Sequence, residues 1–176
     1  MNEQIIDWMK NKSSCKYSFD AFVKKEHLKF DNEISIDLPK LYFKRAKSDI
    51  QFSGIIINSY KEQMNWAIIT SYYSAYYGAQ SLLSLKNYKS NSHIATICAI
   101  IYFYYENGLN EEDIIKLGKL GENNIESFQE LKEIREKASY SIAEEFEEIQ
   151  AKNCRGMAFD FLDSVELILR NTNIIK

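Results

Sequence analysis

The uncharged stretch from Asn65 to Leu85 constrains the fold more than any other feature of the sequence. It contains no Pro and only one Gly. At about 100° per helical residue, its aromatic side chains gather on one face and its Ala, Ser and Gly side chains on the other. A helix without charges is usually buried all round. The spacing therefore predicts a central helix over about 64–86, whose small residues Ala75 and Gly78 lie at close helix–helix contacts.

The same stretch holds four tyrosines between residues 72 and 77, and these leave two interpretations open. A buried tyrosine hydroxyl needs a hydrogen-bond partner, so the rings must end near polar groups or water. In the first interpretation the helix belongs to the core and its hydroxyls reach solvent. In the second the tyrosines line a functional cleft.

Composition favours one soluble, all-α domain. The chain has 176 residues, 45% of them apolar and 27% charged, and only one Pro and six Gly. So few turn-forming residues argue against a many-turned β protein, and the length suits a single domain. The Tyr, Ser, Asn and Gln content of the uncharged stretch argues against a membrane span. An odd number of cysteines, three, fits free thiols in a reducing cytoplasm. We therefore expect a cytoplasmic protein.

The helical periodicity predicts a four- to five-helix up-and-down bundle over residues 39–176, preceded by a helical N-terminal appendage over residues 1–38. Pro39 marks the start of the first bundle helix. Ser92 is a good N-cap for the third. Gly118 and Gly121 are expected to end a short helix over 110–117. The expected bundle helices cover about 40–60, 64–86, 92–107, 122–139 and 141–171.

Charge is unevenly distributed along the chain. The net charge of −3 argues against indiscriminate nucleic-acid binding. Residues 1–47, however, carry ten Lys and Arg against seven Asp and Glu, whereas residues 106–148 carry five against thirteen. The acidic stretch is either a solvated face or a surface that receives a basic partner.

Motif searches exclude several kinds of site. The sequence has no Gly-rich phosphate loop, no HExxH, no CxxC pair and no GxSxG. It has only two histidines, so we expect neither a metal site nor a cofactor. Arg135 lies on the apolar stripe of a predicted helix, with Tyr140 at that helix's end. Arg135 either pairs with an internal carboxylate or faces a cleft, where its guanidinium could bind a phosphate at two points.

His93 is the second candidate, because it follows the predicted N-cap Ser92 directly. The positive end of the helix dipole disfavours the imidazolium form. A neutral imidazole can act as a general base, or it can serve local structure alone. Strict alternation of helix direction would bring His93, Arg135 and Tyr140 to one end of the bundle.

Three motifs together resemble the HEPN domain family. They are Tyr72-Tyr73-Ser-Ala-Tyr76-Tyr77, then Ser92-His93, then Arg135-Glu-Lys-Ala-Ser-Tyr140. The branch that they resemble carries a YYSAYYAA-type helix and an R-x-x-A-D-Y motif, and the similarity spans about 40–171. The resemblance implies a helical bundle that is commonly dimeric. Many such domains are metal-independent ribonucleases, and many are toxins encoded beside a minimal nucleotidyltransferase antitoxin.

The family's ribonuclease motif is an Arg followed four to six residues later by a His. By position, Arg135 matches the Arg, Glu136 matches the polar residue that often follows it, and Tyr140 stands in the place of the His. A tyrosine with a pKa near 10 is ionised to about one part in a thousand at pH 7 and is a poor general base.

Three hypotheses follow from the residues and the resemblance. The first is a HEPN-like subunit of a toxin–antitoxin system that binds nucleotide, RNA or its nucleotidyltransferase partner at a homodimer cleft. Its binding residues would be Arg135, Glu136, Tyr73 and Tyr77. The second is a metal-independent endoribonuclease that uses Arg135 with His93 or Tyr140. The third is a structural helical dimer.

Overall fold

The structure, a computed structural model, describes residues 3–121 and 148–176. It confirms an all-α helical bundle. The helices are α1 (Glu3–Lys10), α2 (Lys12–Lys24), α3 (Leu38–Ser59), α4 (Met64–Ser84), α5 (His93–Tyr104), α6 (111–121) and α7 (Glu148–Asn171). A single 3-10 turn, Lys61–Gln63, joins α3 to α4. Two three-residue strands, β1 (Leu28–Phe30) and β2 (Tyr88–Ser90), pair antiparallel.

The small-residue face of α4 is buried between α3 and α7. Serines on this face reach directly to the backbone of α3. The Ser74 hydroxyl donates a hydrogen bond of 2.8 Å to the Ala46 carbonyl, and that of Ser81 one of 2.7 Å to the Pro39 carbonyl. Against α7 the fit is tighter still, because a methyl group added at Gly78 would lie 2.7 Å from Leu162 Cδ2. The close contacts predicted at Ala75 and Gly78 are therefore confirmed.

The aromatic face of α4 is turned outward, so this helix is not buried all round. The side chain of Trp66 is 52% exposed and that of Tyr73 is 36% exposed, whereas Ala67 and Ala75 have no exposed surface. Small side chains allow α3 and α7 to approach closely on one side. The large rings are then left for the surface.

Helices α1 and α2 pack against α5 and share its hydrophobic core. Their fully or nearly fully buried side chains are Ile5, Trp8, Met9, Cys15 and Phe19. Cys15 and Cys98 face each other, with the Sγ atom of each lying 3.6 Å from the carbonyl oxygen of the other. The strand pair adds a second link between the N-terminal segment and the bundle, with Leu28 opposite Ser90.

The connection between α4 and α5 doubles back along α4. Tyr76 and Gln80 both donate hydrogen bonds to the Ser90 carbonyl, which holds β2 against α4. Helix α5 consequently begins beside Tyr72 and ends where the Tyr104 hydroxyl bonds the Leu82 carbonyl over 2.7 Å. It runs in the same direction as α4, whereas strict alternation predicts the opposite direction.

Helix α6 continues past the glycine that was expected to end it. Residues 111–121 are helical, so the predicted break at Gly118 is wrong. Gly118 is buried, and a Cβ there would lie 3.3 Å from Ile5 Cδ1. The close packing of α1 explains why a glycine is accommodated inside this helix. Across residues 3–121 and 148–176, no helix is both long and apolar enough to cross a membrane.

Candidate functional site

The exposed aromatic face of α4 is the part of the described chain that best fits a binding surface. Trp66, Tyr73 and Tyr77 stand at positions i, i+7 and i+11, which places them on one side of the helix. Tyr77 stacks on Tyr42 of α3, with ring centroids 6.1 Å apart and ring planes 19° from parallel. Tyr73 lies along the helix from Tyr77, at a centroid distance of 6.3 Å. We call Tyr42, Tyr73 and Tyr77 the tyrosine ladder.

A guanidinium group completes the ladder. The Cζ atom of Arg45 lies 5.8 Å from the centre of the Tyr77 ring, within the range of a cation–π contact. Its Nε atom also pairs with the Asp49 carboxylate at 3.0 Å, which fixes the position of the guanidinium. Arg45 is one of four cations in the first half of α3, with Lys40, Lys44 and Lys47. Aromatic and basic side chains are thus side by side on this surface.

Tyr72 and Tyr76 lie deeper than the ladder and serve the fold. The Tyr76 hydroxyl donates a hydrogen bond of 3.0 Å to the Ser90 carbonyl. Burial raises the pKa of the Tyr72 hydroxyl far above its ordinary value. The pKa of Tyr76 is also raised, again chiefly by burial. Both side chains therefore stay protonated at neutral pH, and neither can act as a base there.

His93 lies at the first position of α5, under Tyr72. Its Nδ1 atom is 3.5 Å from the Tyr72 hydroxyl. Its Nε2 atom is buried and has no hydrogen-bond partner among the described residues. Burial lowers the pKa of this imidazole to about 4. The predicted neutral state agrees with this direction, and the cause in the structure is loss of solvent. An imidazole with such a pKa is a weak base at pH 7.

Gly121 explains how His93 fits. A Cβ at this position would lie 1.7 Å from His93 Nε2, so any larger residue would collide with the ring. Gly121 is also the point at which the chain continues into residues 122–147. That stretch contains Arg135, Glu136 and Tyr140, which lie outside the described residues.

Of the residues predicted from sequence, the structure brings Tyr73 and Tyr77 together on one surface. It places His93 beneath the neighbouring Tyr72, whose ring centroid is 5.2 Å from that of Tyr73. Sequence reasoning missed Tyr42 and Arg45. The available signal was the run of cations from Lys40 to Lys47, which reads as an ordinary solvated helix face until the fold sets Tyr77 beside it.

Nothing in the described residues resembles a metal centre, since no group of three or more His, Cys, Asp or Glu side chains lies close enough together to hold an ion. A scan against protein-family models finds no match to this chain. A comparison with curated proteins likewise finds no similar sequence.

Proposed function

We propose that this chain is a HEPN-like helical subunit that binds nucleotide or single-stranded RNA. The tyrosine ladder, with Arg45 placed over Tyr77, is the observation that carries the proposal. The motifs that resemble the HEPN family supply the second line of support. In this proposal the subunit is a homodimer and belongs to a system that also contains a nucleotidyltransferase.

Stacking gives the ladder its affinity for bases. Every base has a flat π-face, and stacking on an aromatic side chain contributes about 1–3 kcal/mol per base. Tyr73 is exposed and Tyr77 is half-buried, so part of each ring is open to contact with a base. The centroid spacing of 6.3 Å between them gives two successive bases separate rings.

The cations of α3 supply contacts for the phosphates. Lys40, Lys44 and Arg45 are exposed, and Lys47 is half-buried and paired with Glu166. Such a local patch attracts a polyanion even though the whole chain carries a charge of −3. Binding through this patch weakens as salt rises, because each phosphate contact releases counterions.

The acidic stretch 106–148 is the part of the sequence that we propose receives the partner protein. Its thirteen Asp and Glu against five Lys and Arg suit a basic surface on a nucleotidyltransferase. The proposed pairing with such a protein is tested by co-expression and co-purification of the two chains.

The ladder is tested by fluorescence anisotropy with a labelled single-stranded RNA. Tyr73→Ala and Tyr77→Ala should each weaken binding by about 5- to 150-fold, because each removes one stacking surface. Tyr73→Phe and Tyr77→Phe should bind like the wild type. The matched control is Tyr17→Ala, which removes a tyrosine that is 79% exposed on α2. If both alanine variants bind RNA as well as the Tyr17→Ala control does, the ladder is not the binding surface.

A second assay separates binding from cleavage. We expect RNA incubated with the protein and EDTA to be cleaved weakly or not at all, because His93 is a weak base and Tyr140 occupies the place of the motif His. Metal-independent cleavage that disappears in Arg135→Ala would establish the endoribonuclease hypothesis instead. Tyr140→His restores the Arg-to-His spacing of the family's ribonuclease motif. We expect this variant to cleave RNA faster than the wild type does.

A further inference from the structure

A second surface lies on the other side of α3, in the groove between α3 and α7. An open pocket of about 270 Å³ is lined there by Gly54, Ile57, Asn58, Lys152, Arg155 and Gly156. It is separate from the tyrosine ladder, which lies between α3 and α4. Its lining combines two cations, one amide and two glycines.

Arg155 is held in this pocket by three neighbours. Its Nε atom donates a hydrogen bond of 3.4 Å to the Ile50 carbonyl, and its Cζ atom lies 5.9 Å from the centre of the Phe159 ring. The guanidinium rests on Gly54, where an added Cβ would lie 3.0 Å from Nε. Among the described residues, no carboxylate forms an ion pair with Arg155. A positioned guanidinium without an anionic partner is suited to bind an anion at two points.

The charges around the pocket favour an anion. Lys152 pairs with Glu148, and Lys61 lies 3.9 Å from the same carboxylate. Two cations thus contact one carboxylate at this end of the groove. An incoming anion can bind Arg155 without displacing Glu148, and Lys152 can turn toward it because its side chain is 58% exposed.

Gly156 is a second indication, independent of the charges, that a group binds in this pocket. It lies in the interior of α7, where glycine destabilises a helix relative to alanine. Gly54 and Gly78 are explained by the atoms packed on them, but a Cβ at Gly156 would meet no atom of residues 3–121 or 148–176 within 4 Å. The packing of the described residues therefore gives no reason for a glycine here. The open space lies next to Lys152 and Arg155, where a bound group would occupy it.

We propose that this pocket binds a phosphoryl group. Arg155 supplies the two-point contact, Lys152 adds a second positive charge, and the Asn58 amide donates a hydrogen bond. Gly156 leaves the space that the phosphoryl oxygens fill. The group belongs either to a free nucleotide or to an RNA backbone. The inference does not rest on the tyrosine ladder.

Calorimetric titration of the full chain tests this directly. The probes are inorganic phosphate, adenosine 5′-monophosphate and a short single-stranded RNA. Arg155→Ala should lower the affinity for each bound probe at least tenfold, as expected for the loss of hydrogen bonds to a charged group. Arg155→Lys should recover part of the affinity, since an ammonium cannot supply the planar fork. Arg170→Ala, an exposed arginine on the same helix, is the matched control and should bind like the wild type.

Gly156→Ala tests the pocket independently, in case Arg155→Ala folds poorly. Alanine should raise the thermal midpoint, because it favours the helix, and should lower phosphate affinity, because its methyl group enters the pocket. A structural role for this residue would not produce these two opposite effects.

The three probes also identify the source of the phosphoryl group. Tighter binding of the monophosphate than of inorganic phosphate assigns the pocket to a nucleotide. An effect of Arg155→Ala confined to RNA assigns it to a nucleic-acid backbone. If the wild type shows no saturable binding of any probe, or if Arg155→Ala and Gly156→Ala bind as the wild type does, the proposal is wrong.

Discussion

At the scale of single residues, His93 couples stability to pH. Burial lowers the pKa of its imidazole to about 4 in the folded protein, while in the unfolded chain it stays near 6.5. Between these values the unfolded state binds more protons than the folded state. The free energy of unfolding therefore falls as the pH drops from 6.5 to 4.

We expect this coupling to amount to about 3–4 kcal/mol at most, since one pKa unit corresponds to about 1.4 kcal/mol. Denaturant unfolding of the wild type and of His93→Gln at pH 7.5, 6, 5 and 4 measures it. The wild type should lose more stability than the variant over this range. The carboxylates also titrate here, and the difference between the two proteins removes their contribution. Parallel stability curves would show that folding does not lower the pKa of His93.

The sequence predicted the neutral state of His93, but it did not predict why the ring is neutral. A helix dipole can be read from a capping serine, and the Ser92 side chain does accept a hydrogen bond from the Ala95 amide. The burial of the ring depends on Tyr72 and Gly121, which are 21 and 28 residues away in the chain. Arg45 illustrates the same difficulty, because only the fold reveals the ring next to it.

At the scale of helices, the α4–α7 contact depends on Gly78. Gly78→Ala should destabilise the protein by about 1–3 kcal/mol, because the new methyl group would lie 2.7 Å from Leu162 Cδ2. Gly156→Ala is the matched control on an open helix surface, and there we expect a gain of about 0.5–1 kcal/mol. Chemical denaturation of both variants measures the two changes in the free energy of unfolding. Equal effects at the two positions would refute the close contact.

The packing of α1 against the rest of the fold depends on Trp8. This side chain is 1% exposed, and its Nε1 atom donates a hydrogen bond of 2.9 Å to Ser18 Oγ. Trp8→Ala should cost about 3–5 kcal/mol of stability, as large-to-small core substitutions do. Tyr17→Ala, on the exposed side of α2, should cost little. A small effect of Trp8→Ala in urea unfolding would mean that the first helices contribute little to the fold.

The sequence predicted where the helices begin better than it predicted which face of each helix is buried. Pro39 and Ser92 predicted the starts of α3 and α5 to within two residues. Helical periodicity records which side chains share a face, but not which face meets the core. On α4 the small face is the buried one. The three-residue strands are too short to carry a periodic signal, and their pairing joins segments about sixty residues apart.

At the scale of the whole molecule, we expect a homodimer. Several large apolar side chains on the outer surfaces of α3 and α4 are more than half exposed, namely Leu41, Phe52, Ile55 and Trp66. Monomeric proteins rarely leave large apolar patches uncovered. Light scattering at micromolar concentration should give twice the mass of the 20.6 kDa chain. A mass of one chain at that concentration would contradict the expectation.

Trp66→Ser tests whether the exposed apolar side chains form the dimer interface. Trp66 is 52% exposed, so its removal should leave the fold intact and weaken self-association. The intrinsic stability of the chain at high dilution should change little. A large loss of helical signal in this variant would show that Trp66 supports the monomer instead.

The pairing of β1 with β2 has a consequence for synthesis on the ribosome. Leu28 cannot meet Ser90 until about sixty further residues have been made, and α5 follows later still. At about 5–20 residues per second, this leaves the first two helices without their docking surface for several seconds. Throughout that interval Ile5, Trp8 and Phe19 lack the α5 surface that helps to bury them in the folded protein. The nascent chain therefore exposes the apolar side chains of α1 and α2, to which a chaperone at the ribosomal exit tunnel can bind.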